Sequence, residues 1–225
     1  MSKKLLLDGF CCAGAASMGY HQAGFEVVGV DIEPQKNYPF EFHQGGAIDF
    51  IYKYGKDFDV IAASPPCQRY TVSASIHNSS MNHPDLVAPT RAALMASGKP
   101  YIMENVPGSP LVNPITLCGS MFNLKVKRHR LFETNPPLWF PPAHCSCSQF
   151  FTHSGKGQFS SFANGATAIC VAGHNFCVAD GAMAMAIDWP MTGKELSQAI
   201  PPAYTKWLGL QFMSILFPER LEATK

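Results

Sequence analysis

Short apolar runs that each end in a polar residue recur along the first half of this chain. They predict four buried strands, over residues 4–9, 26–31, 59–64 and 101–106. Helical composition ending at a glycine predicts a helix over 85–97, and another over 17–24. Strands that alternate with helices predict a parallel, doubly wound α/β sheet.

The second half of the chain has a different texture. Residues 134–172 hold two proline pairs and several phenylalanines among glycine and serine, without apolar periodicity, and predict a small irregular region. Three helices are predicted after it, over 179–188, 192–200 and 203–217. In the last of these, one helical stripe is predicted to face the core: Trp207, Leu210, Met213 and Phe217.

This pattern divides the chain into three parts. Residues 1–133 form the predicted core, 134–172 an inserted region, and 173–225 a part that returns to the core. Within the core, residues 69–83 are rich in Ser, Asn and His. We expect them to form a long active-site loop that acts as a lid, because long loops in compact domains are usually functional or disordered.

Composition narrows the class of protein. The chain has 225 residues, 47% hydrophobic and 15% charged, which suits a folded domain rather than a disordered one. A net charge of +1 argues against non-specific coating of nucleic acid but allows a local basic cleft. No run is long enough to cross a bilayer and no secretory leader is recognised, so we expect a cytoplasmic protein.

The eight cysteines lack paired spacing, which predicts free thiols in a reducing compartment. We expect four to be small core residues: Cys11, Cys12, Cys118 and Cys170. A zinc site was considered for a second group, His144, Cys145, Cys147, Cys170 and Cys177. Its spacing matches no common zinc pattern, so the sequence predicts no metal and favours a polar loop that contains thiols.

The candidate chemistry starts at Cys67, which follows Pro65 and Pro66 at the carboxyl end of a predicted strand. Ligands gather at that end in open α/β sheets, and two prolines favour a rigid turn with an exposed sulfur. Glu104 lies at the matching end of the next strand. A lone cysteine is more often a buried small residue, but this position and this partner favour covalent catalysis on an electron-poor ring.

Four sequence blocks and a closing block carry a family resemblance. They are Asp-Gly-Phe-Cys-Cys-Ala-Gly at residues 8–14, Pro-Pro-Cys-Gln at 65–68, Glu-Asn-Val at 104–106, Arg-His-Arg at 128–130 and Gln-Ala-Ile-Pro-Pro at 198–202. In this order they resemble the DNA cytosine-5 methyltransferases, in the compact form often encoded by phages and prophages.

The resemblance implies a Rossmann-like sheet that uses S-adenosyl-L-methionine, with residues 134–172 as a small target-recognition region. It also implies double-stranded DNA as the partner, a base flipped out of the duplex, and a role in restriction–modification in a prokaryotic or phage-infected cell. We expect a monomer.

The resemblance also assigns roles to single residues. Cys67 would add to C6 of cytosine, Glu104 would protonate N3, Arg130 would hold O2, Arg128 would help to set the pocket, and Asn105 would orient the turn of the glutamate. Cofactor binding falls to Asp8, Phe10, Cys12, Gly14, Asp31, Ile32, Gly46, Pro65 and Gln198. Substrate binding falls to Pro66, Gln68, Ser73 and Asn105.

Several departures from the family pattern touch the cofactor pocket. Gly9 replaces a leucine, Cys12 and Ala15 replace glycines, and Gly46 stands where the family has an acid. A side chain in the left-handed position of a glycine costs roughly 1 kcal/mol or more. We therefore expect an altered affinity for S-adenosylmethionine or a preference for another donor. Two alternatives stay open: a tRNA cytosine methyltransferase, and a degenerate DNA-binding paralogue without a cofactor.

Overall fold

A mixed β-sheet organises the chain. The structure is a computed structural model that describes residues 3–70, 84–152, 162, 165–173 and 175–218. The strands within these residues are β1 (Lys4–Gly9), β2 (Phe25–Asp31), β3 (Glu41–Gln44), β4 (Val60–Ala63), β5 (Tyr101–Asn105), β6 (Ile115–Leu117) and β7 (Arg130–Asn135). The α-helices are α1 (Ala15–Gln22), α2 (Ala47–Tyr54), α3 (Val87–Ser97), α4 (Val178–Met185), α5 (Gly193–Gln198) and α6 (Pro202–Leu216).

The strand order confirms the predicted α/β class. The seven strands follow the order β3-β2-β1-β4-β5-β7-β6, and β1 to β5 are parallel. The chain runs outward from β1 to β3 and then returns to place β4 on the other side of β1. This reversal creates a crevice at the carboxyl ends of β1 and β4, where α/β proteins bind their ligands.

The prediction of an all-parallel sheet was incomplete. β7 is antiparallel to β5, and β6 is antiparallel to β7. These two strands, together with β3 and α2, were not predicted. β3 reads Glu-Phe-His-Gln at an exposed edge and β6 has only three residues, so neither shows a readable apolar pattern. β7 continues to Asn135, past the predicted end of the core at residue 133.

The two faces of the sheet are covered by different helices. Leu6, Val60 and Ile102 belong to one buried cluster, which includes residues of α1 and α6. Their chain neighbours Leu7, Ile61 and Met103 belong to a second cluster, which includes residues of α2 and α3. Because successive side chains of a strand point to opposite faces, strands covered on both faces are apolar throughout, as the sequence indicated.

The predicted stripe of α6 was partly wrong. Leu210 is 44% exposed, whereas Met213 is buried. The buried face of the helix centres on Tyr204, Leu208 and Phe212. Helical spacing alone allowed either face, and the packing of α6 against α1 selects the one that carries Tyr204. Cys170 was also expected in the core but is exposed.

A buried carboxylate joins α3 to the hairpin β6–β7. Glu133 is 4% exposed and accepts two hydrogen bonds from Arg91, at 2.8 Å from Nε and 2.7 Å from Nη2. It also accepts hydrogen bonds from the hydroxyl of Tyr101 and the backbone N–H of Val112. Burial opposes ionisation, but Arg91 and these donors hold the pKa of Glu133 below its ordinary value.

Replacing Arg91 with methionine is expected to lower the free energy of unfolding by roughly 2 to 3 kcal/mol, because Glu133 keeps its burial but loses its counter-charge. Urea denaturation followed by circular dichroism measures the effect. The matched control, Lys36→Met at an exposed site, is expected to change it by less than about 0.5 kcal/mol. Equal stability of the two variants would contradict this account of the ion pair.

Across the described part of the chain, no helix has the length and apolar character needed to span a membrane.

Candidate active site

A cavity of about 540 Å³ opens at the carboxyl ends of the central strands. Loops after β1, β2 and β4 and the end of β5 form one side of it, and residues 191–200 around α5 contribute to the other. Its size falls within the range for small-molecule and cofactor sites. The cavity lies at the crevice created by the strand order.

Cys67 and Glu104 meet in this cavity as predicted. β4 pairs in parallel with β5, and Ala63 lies opposite Met103. Cys67 comes shortly after Ala63 and Glu104 directly after Met103, so both lie at the same edge of the sheet. Arg130, which the resemblance also named, lies beside them, with its Nε 2.9 Å from Oε1 of Glu104. All three side chains line the cavity, and Cys67 is half-buried. A thiol, a carboxyl group and a guanidinium therefore share one pocket.

Burial dominates the titration of this group. It raises the pKa of Glu104, against the opposing charges of Arg130 and Arg128 and a hydrogen bond to Ser64. Burial also raises the pKa of Cys67, and the charge on Glu104 adds to this, while the two arginines oppose it. A raised pKa favours the protonated form of Glu104, the form that can act as a general acid.

Asn105 and Arg128 do not line the cavity, but each donates hydrogen bonds to backbone carbonyls near it. The Asn105 side-chain amide donates to the carbonyl of Pro65 at 2.9 Å, which ties the end of β5 to the loop that carries Cys67. Arg128 donates to the carbonyls of Val171 and Ser197. Burial lowers the pKa of Arg128 to about 9, and Arg130 adds to this effect. Both residues hold backbone segments in place.

Two further acids line the cavity. Asp31 accepts hydrogen bonds from the backbone N–H groups of Cys12 and Glu33, each at 3.0 Å. Asp8 is 1% exposed and accepts a hydrogen bond from the Ser17 hydroxyl. Burial raises the pKa of Asp8 to about 7, so its charge depends on pH near neutrality.

The loop after β1 has a left-handed backbone at three positions. Phe10, Cys12 and Gly14 have φ angles of +60°, +46° and +81°. A Cβ atom at Gly14 would lie 2.8 Å from Cδ of Pro39, so only glycine fits there. Cys12 does occupy a left-handed position, which bears out the strain expected from its substitution for the family's glycine.

Most of the predicted site residues line the cavity: Asp8, Phe10, Cys12, Asp31, Ile32, Pro65, Pro66, Cys67, Gln68, Glu104, Arg130 and Gln198. Gly14 and Gly46 do not. Gly46 is the exposed N-cap of α2, next to Asp49 in the first turn of that helix. Ser73 and most of the predicted lid lie outside the described residues, and only its first part is described, in a 3₁₀ turn over Gln68–Tyr70.

Sequence reasoning missed several residues that line the cavity, among them Glu33, Met191, Glu195 and Ser197. Glu195 accepts hydrogen bonds from Asn37 at 3.0 and 3.1 Å and forms a capping box with Thr192 at the start of α5. The capping pattern is readable in the sequence, but it indicates only a helix start. Nothing local connects it to Asn37, which is distant along the chain.

The comparisons with known proteins agree with this geometry. Residues 6–113, just under half of the chain, match the family model for C-5 cytosine-specific DNA methylase. No curated protein sequence matches the chain. Among solved structures, the Dnmt2 methyltransferase of S. pombe superimposes with a TM-score of 0.60 at 11% identity, covering 96% of this chain and 100% of the other.

Two further solved structures match the chain. The Entamoeba histolytica methyltransferase EhMeth gives a TM-score of 0.58 at 13% identity, over 96% of this chain and 99% of that one. A prophage-encoded E. coli protein described as a DNA modification methyltransferase gives 0.43 at 21% identity, over 57% of this chain. The present chain spans 45% of the length of that prophage protein.

The chain therefore shares the fold of the S. pombe and Entamoeba histolytica methyltransferases. The match of residues 6–113 to the C-5 cytosine-specific DNA methylase model agrees with the predicted resemblance. This match supports S-adenosyl-L-methionine as the cofactor, as predicted.

The cavity suits that cofactor. Among the residues that the structure describes, five acidic residues line it, Asp8, Asp31, Glu33, Glu104 and Glu195, with Arg130 as the one cation. S-adenosylmethionine carries a sulfonium and an ammonium group, so an acidic wall complements its charge.

Proposed function

We propose that this protein transfers a methyl group to C5 of cytosine in double-stranded DNA through a covalent bond to Cys67. The observation that carries the proposal is that Cys67, Glu104 and Arg130 line one cavity. The acids proposed to bind the cofactor, Asp8 and Asp31, line the same cavity. A cytosine can reach a pocket of this kind only after it leaves the duplex, so the proposal includes base flipping.

Cys67 supplies the nucleophile. Carbon C5 of cytosine is too weak a nucleophile in the intact ring. Attack of the Cys67 thiolate on C6 breaks the aromaticity and gives C5 the character of an enamine carbon. When bound, S-adenosylmethionine supplies an electrophilic methyl group. After C5 loses its proton, the bond between Cys67 and C6 breaks and the thiolate is restored.

Glu104 and Arg130 would stabilise the negative charge that this attack creates on the ring. As the thiolate adds to C6, negative charge develops on the ring, and a protonated Glu104 donates to N3 to neutralise it. Arg130 is held at Glu104 by their 2.9 Å contact and would hold O2 of the cytosine with its remaining N–H groups. Arg128 would act indirectly, because it holds the backbone at Val171 and Ser197 through hydrogen bonds.

Asp8 and Asp31 would hold the cofactor. Asp31 is the last residue of β2, the place where Rossmann-like folds use an acid to accept hydrogen bonds from ribose hydroxyls. Phe10 would stack on the adenine. Asp8 is placed to offset positive charge on the cofactor. Because burial keeps the pKa of Asp8 near 7, we expect cofactor affinity to increase as pH rises through that value.

Incubation with methyl-labelled S-adenosylmethionine tests the function directly. Duplex DNA and unmodified tRNA are offered separately, and the digested nucleosides are separated by mass spectrometry. We expect label in 5-methyl-2′-deoxycytidine with wild-type protein and none with Cys67→Ala. Label in 5-methylcytidine alone would favour the tRNA alternative. Label in neither substrate, with intact cofactor binding, would refute both.

The altered loop after β1 gives a separate prediction. Replacing Cys12 with glycine is expected to raise the free energy of unfolding by up to about 1 kcal/mol, because glycine adopts φ +46° without strain. It should also tighten S-adenosylmethionine binding, because Cys12 lines the cavity beside Asp31. Cys12→Ser keeps the Cβ and should gain neither.

Isothermal titration calorimetry measures both variants against wild type. Tight cofactor binding by the wild-type protein, unchanged in Cys12→Gly, would refute the hypothesis of an altered affinity. No cofactor binding by either protein would favour the degenerate, DNA-binding alternative.

A further inference from the structure

Four potential metal ligands converge outside the active site. They are Cys118, His129, Cys145 and Cys147, and their ligand atoms all lie within 4.8 Å of one another. The sequence suggested a different group, in which Cys145 and Cys147 were joined by His144, Cys170 and Cys177. The fold instead brings Cys118 and His129 to the two cysteines.

The hairpin β6–β7 explains half of this arrangement. Its register places Leu117 opposite Arg130, so the next pair outward is Cys118 and His129. Cys145 and Cys147 approach from the inserted region, where Cys147 begins a 3₁₀ turn. The ligands thus come from three segments that are separate in sequence, and no short spacing pattern could reveal them.

The distances fit tetrahedral coordination. Sγ of Cys145 lies 3.2 Å from Sγ of Cys147 and 3.4 Å from Nε2 of His129, and Sγ of Cys147 lies 3.5 Å from the same Nε2. Zinc bonds of about 2.3 Å to sulfur and 2.0 Å to nitrogen, at tetrahedral angles, separate neighbouring ligand atoms by about 3.5 to 3.8 Å. The three measured separations agree with these values to within about 0.6 Å, and the fourth ligand atom, Sγ of Cys118, lies within 4.8 Å of the other three.

Packing alone does not account for the cluster. Cys118 and Cys147 are buried and could be small apolar residues, but Cys145 is exposed and its sulfur still faces the imidazole. A further polar group supports it, since the Ser120 hydroxyl lies 3.6 Å from Sγ of Cys145 and accepts the N–H of Ser146 at 3.1 Å. Hydrogen bonds from such neighbours orient metal ligands in proteins.

The close backbone packing at Gly119, next to Cys118, also supports a preformed metal site. A Cβ atom at Gly119 would lie 2.1 Å from the carbonyl oxygen of Val126. Only glycine allows the backbone to close at this point. The position of Cys118 is therefore fixed by the fold, as a preorganised ligand requires.

We propose that Cys118, His129, Cys145 and Cys147 bind one structural zinc ion. Three thiolates and one neutral imidazole form a closed tetrahedral set, which favours zinc over the harder divalent ions. Binding releases the thiol protons to solvent. The proposal does not depend on the methyl-transfer function.

The ion would join the inserted region to the sheet beside the arginines. His129 lies between Arg128 and Arg130 in the chain, and its carbonyl oxygen accepts a hydrogen bond from Nη1 of Arg130 at 2.9 Å. Cys145 and Cys147 lie in the predicted target-recognition region. Zinc at this position fixes the end of that region relative to the cavity.

Metal content of the whole protein tests the proposal. Protein expressed with added zinc and purified with a non-thiol reductant, without chelator, is analysed by inductively coupled plasma mass spectrometry. We expect one equivalent of zinc per chain. Cys145→Ser and Cys147→Ser should each lower zinc retention at least about tenfold against a competing chelator, whereas the matched control Cys177→Ser should keep it.

A measurement on the wild-type protein covers the case in which a variant does not fold. X-ray absorption at the zinc edge should show three sulfur neighbours at about 2.3 Å and one nitrogen neighbour at about 2.0 Å. Wild-type protein without bound zinc, or zinc with mainly oxygen neighbours, would overturn the proposal. So would full zinc retention in Cys147→Ser, or a disulfide between Cys145 and Cys147 in freshly purified protein.

Discussion

Replacing Cys67 with alanine is expected to lower the rate of methyl transfer by about 10⁴-fold or more, because no other group can activate C5. Cys67 is the thiol that lines the cavity next to Glu104 and Arg130. Cys11 and Cys12 also line this cavity, but burial raises the pKa of the Cys12 thiol to about 12. Single-turnover transfer of labelled methyl groups measures the effect.

The matched control is Cys177→Ser. Cys177 is the N-cap of α4, and serine is a favoured residue at that position, so this variant should keep both stability and activity. Cofactor binding by Cys67→Ala should remain within a few-fold of wild type. A variant that lacks Cys67 and still transfers methyl groups at a tenth of the wild-type rate would contradict a covalent mechanism.

Replacing Glu104 with glutamine is expected to lower kcat by about 10² to 10⁴-fold, the usual contribution of a general acid. Glutamine keeps the shape of the side chain but cannot donate a proton to N3. The side-chain oxygen of glutamine can still accept the 2.9 Å contact from Nε of Arg130. The matched control, Glu41→Gln at the exposed edge strand β3, should leave kcat unchanged.

The pH profile separates an acid role from a structural one. Burial raises the pKa of both Glu104 and Cys67, and the reactive form of the pair holds one proton, on Glu104. In wild type, the rate should therefore rise as Cys67 ionises and fall once Glu104 has also lost its proton. In Glu104→Gln the fall at high pH should disappear, because the variant has no acidic proton to lose. A profile that keeps the same fall would exclude Glu104 as the acid.

The sequence predicted the site better than it predicted the sheet. Cys67 follows β4 and Glu104 lies in the last part of the parallel strand β5. The carboxyl ends of such strands meet at one edge of the sheet, so a correct strand pattern was enough to bring the two residues together. Asp8 and Asp31 were found in the same way. Backbone strain was expected at Cys12 because this residue replaces a glycine of the family pattern, and its positive φ agrees with that expectation.

What the sequence did not reveal depends on contacts between distant segments. Arg130 reaches Glu104 only because β7 turns back against β5, and β7 itself carries few apolar residues. Glu195 reaches the cavity through α5. The metal ligands are the strongest example, since Cys118 and His129 face each other only through the register of a hairpin whose first strand has three residues.

Trapping with 5-fluorocytosine tests the central claim most directly. Fluorine at C5 cannot leave as a proton does, so the bond between the Cys67 sulfur and C6 should persist after methyl transfer. Duplex DNA containing 5-fluoro-2′-deoxycytidine, incubated with S-adenosylmethionine, should give a denaturant-stable protein–DNA adduct, and peptide mass spectrometry should place it on Cys67. An adduct on another residue, or none with protein that binds both DNA and cofactor, would contradict the account.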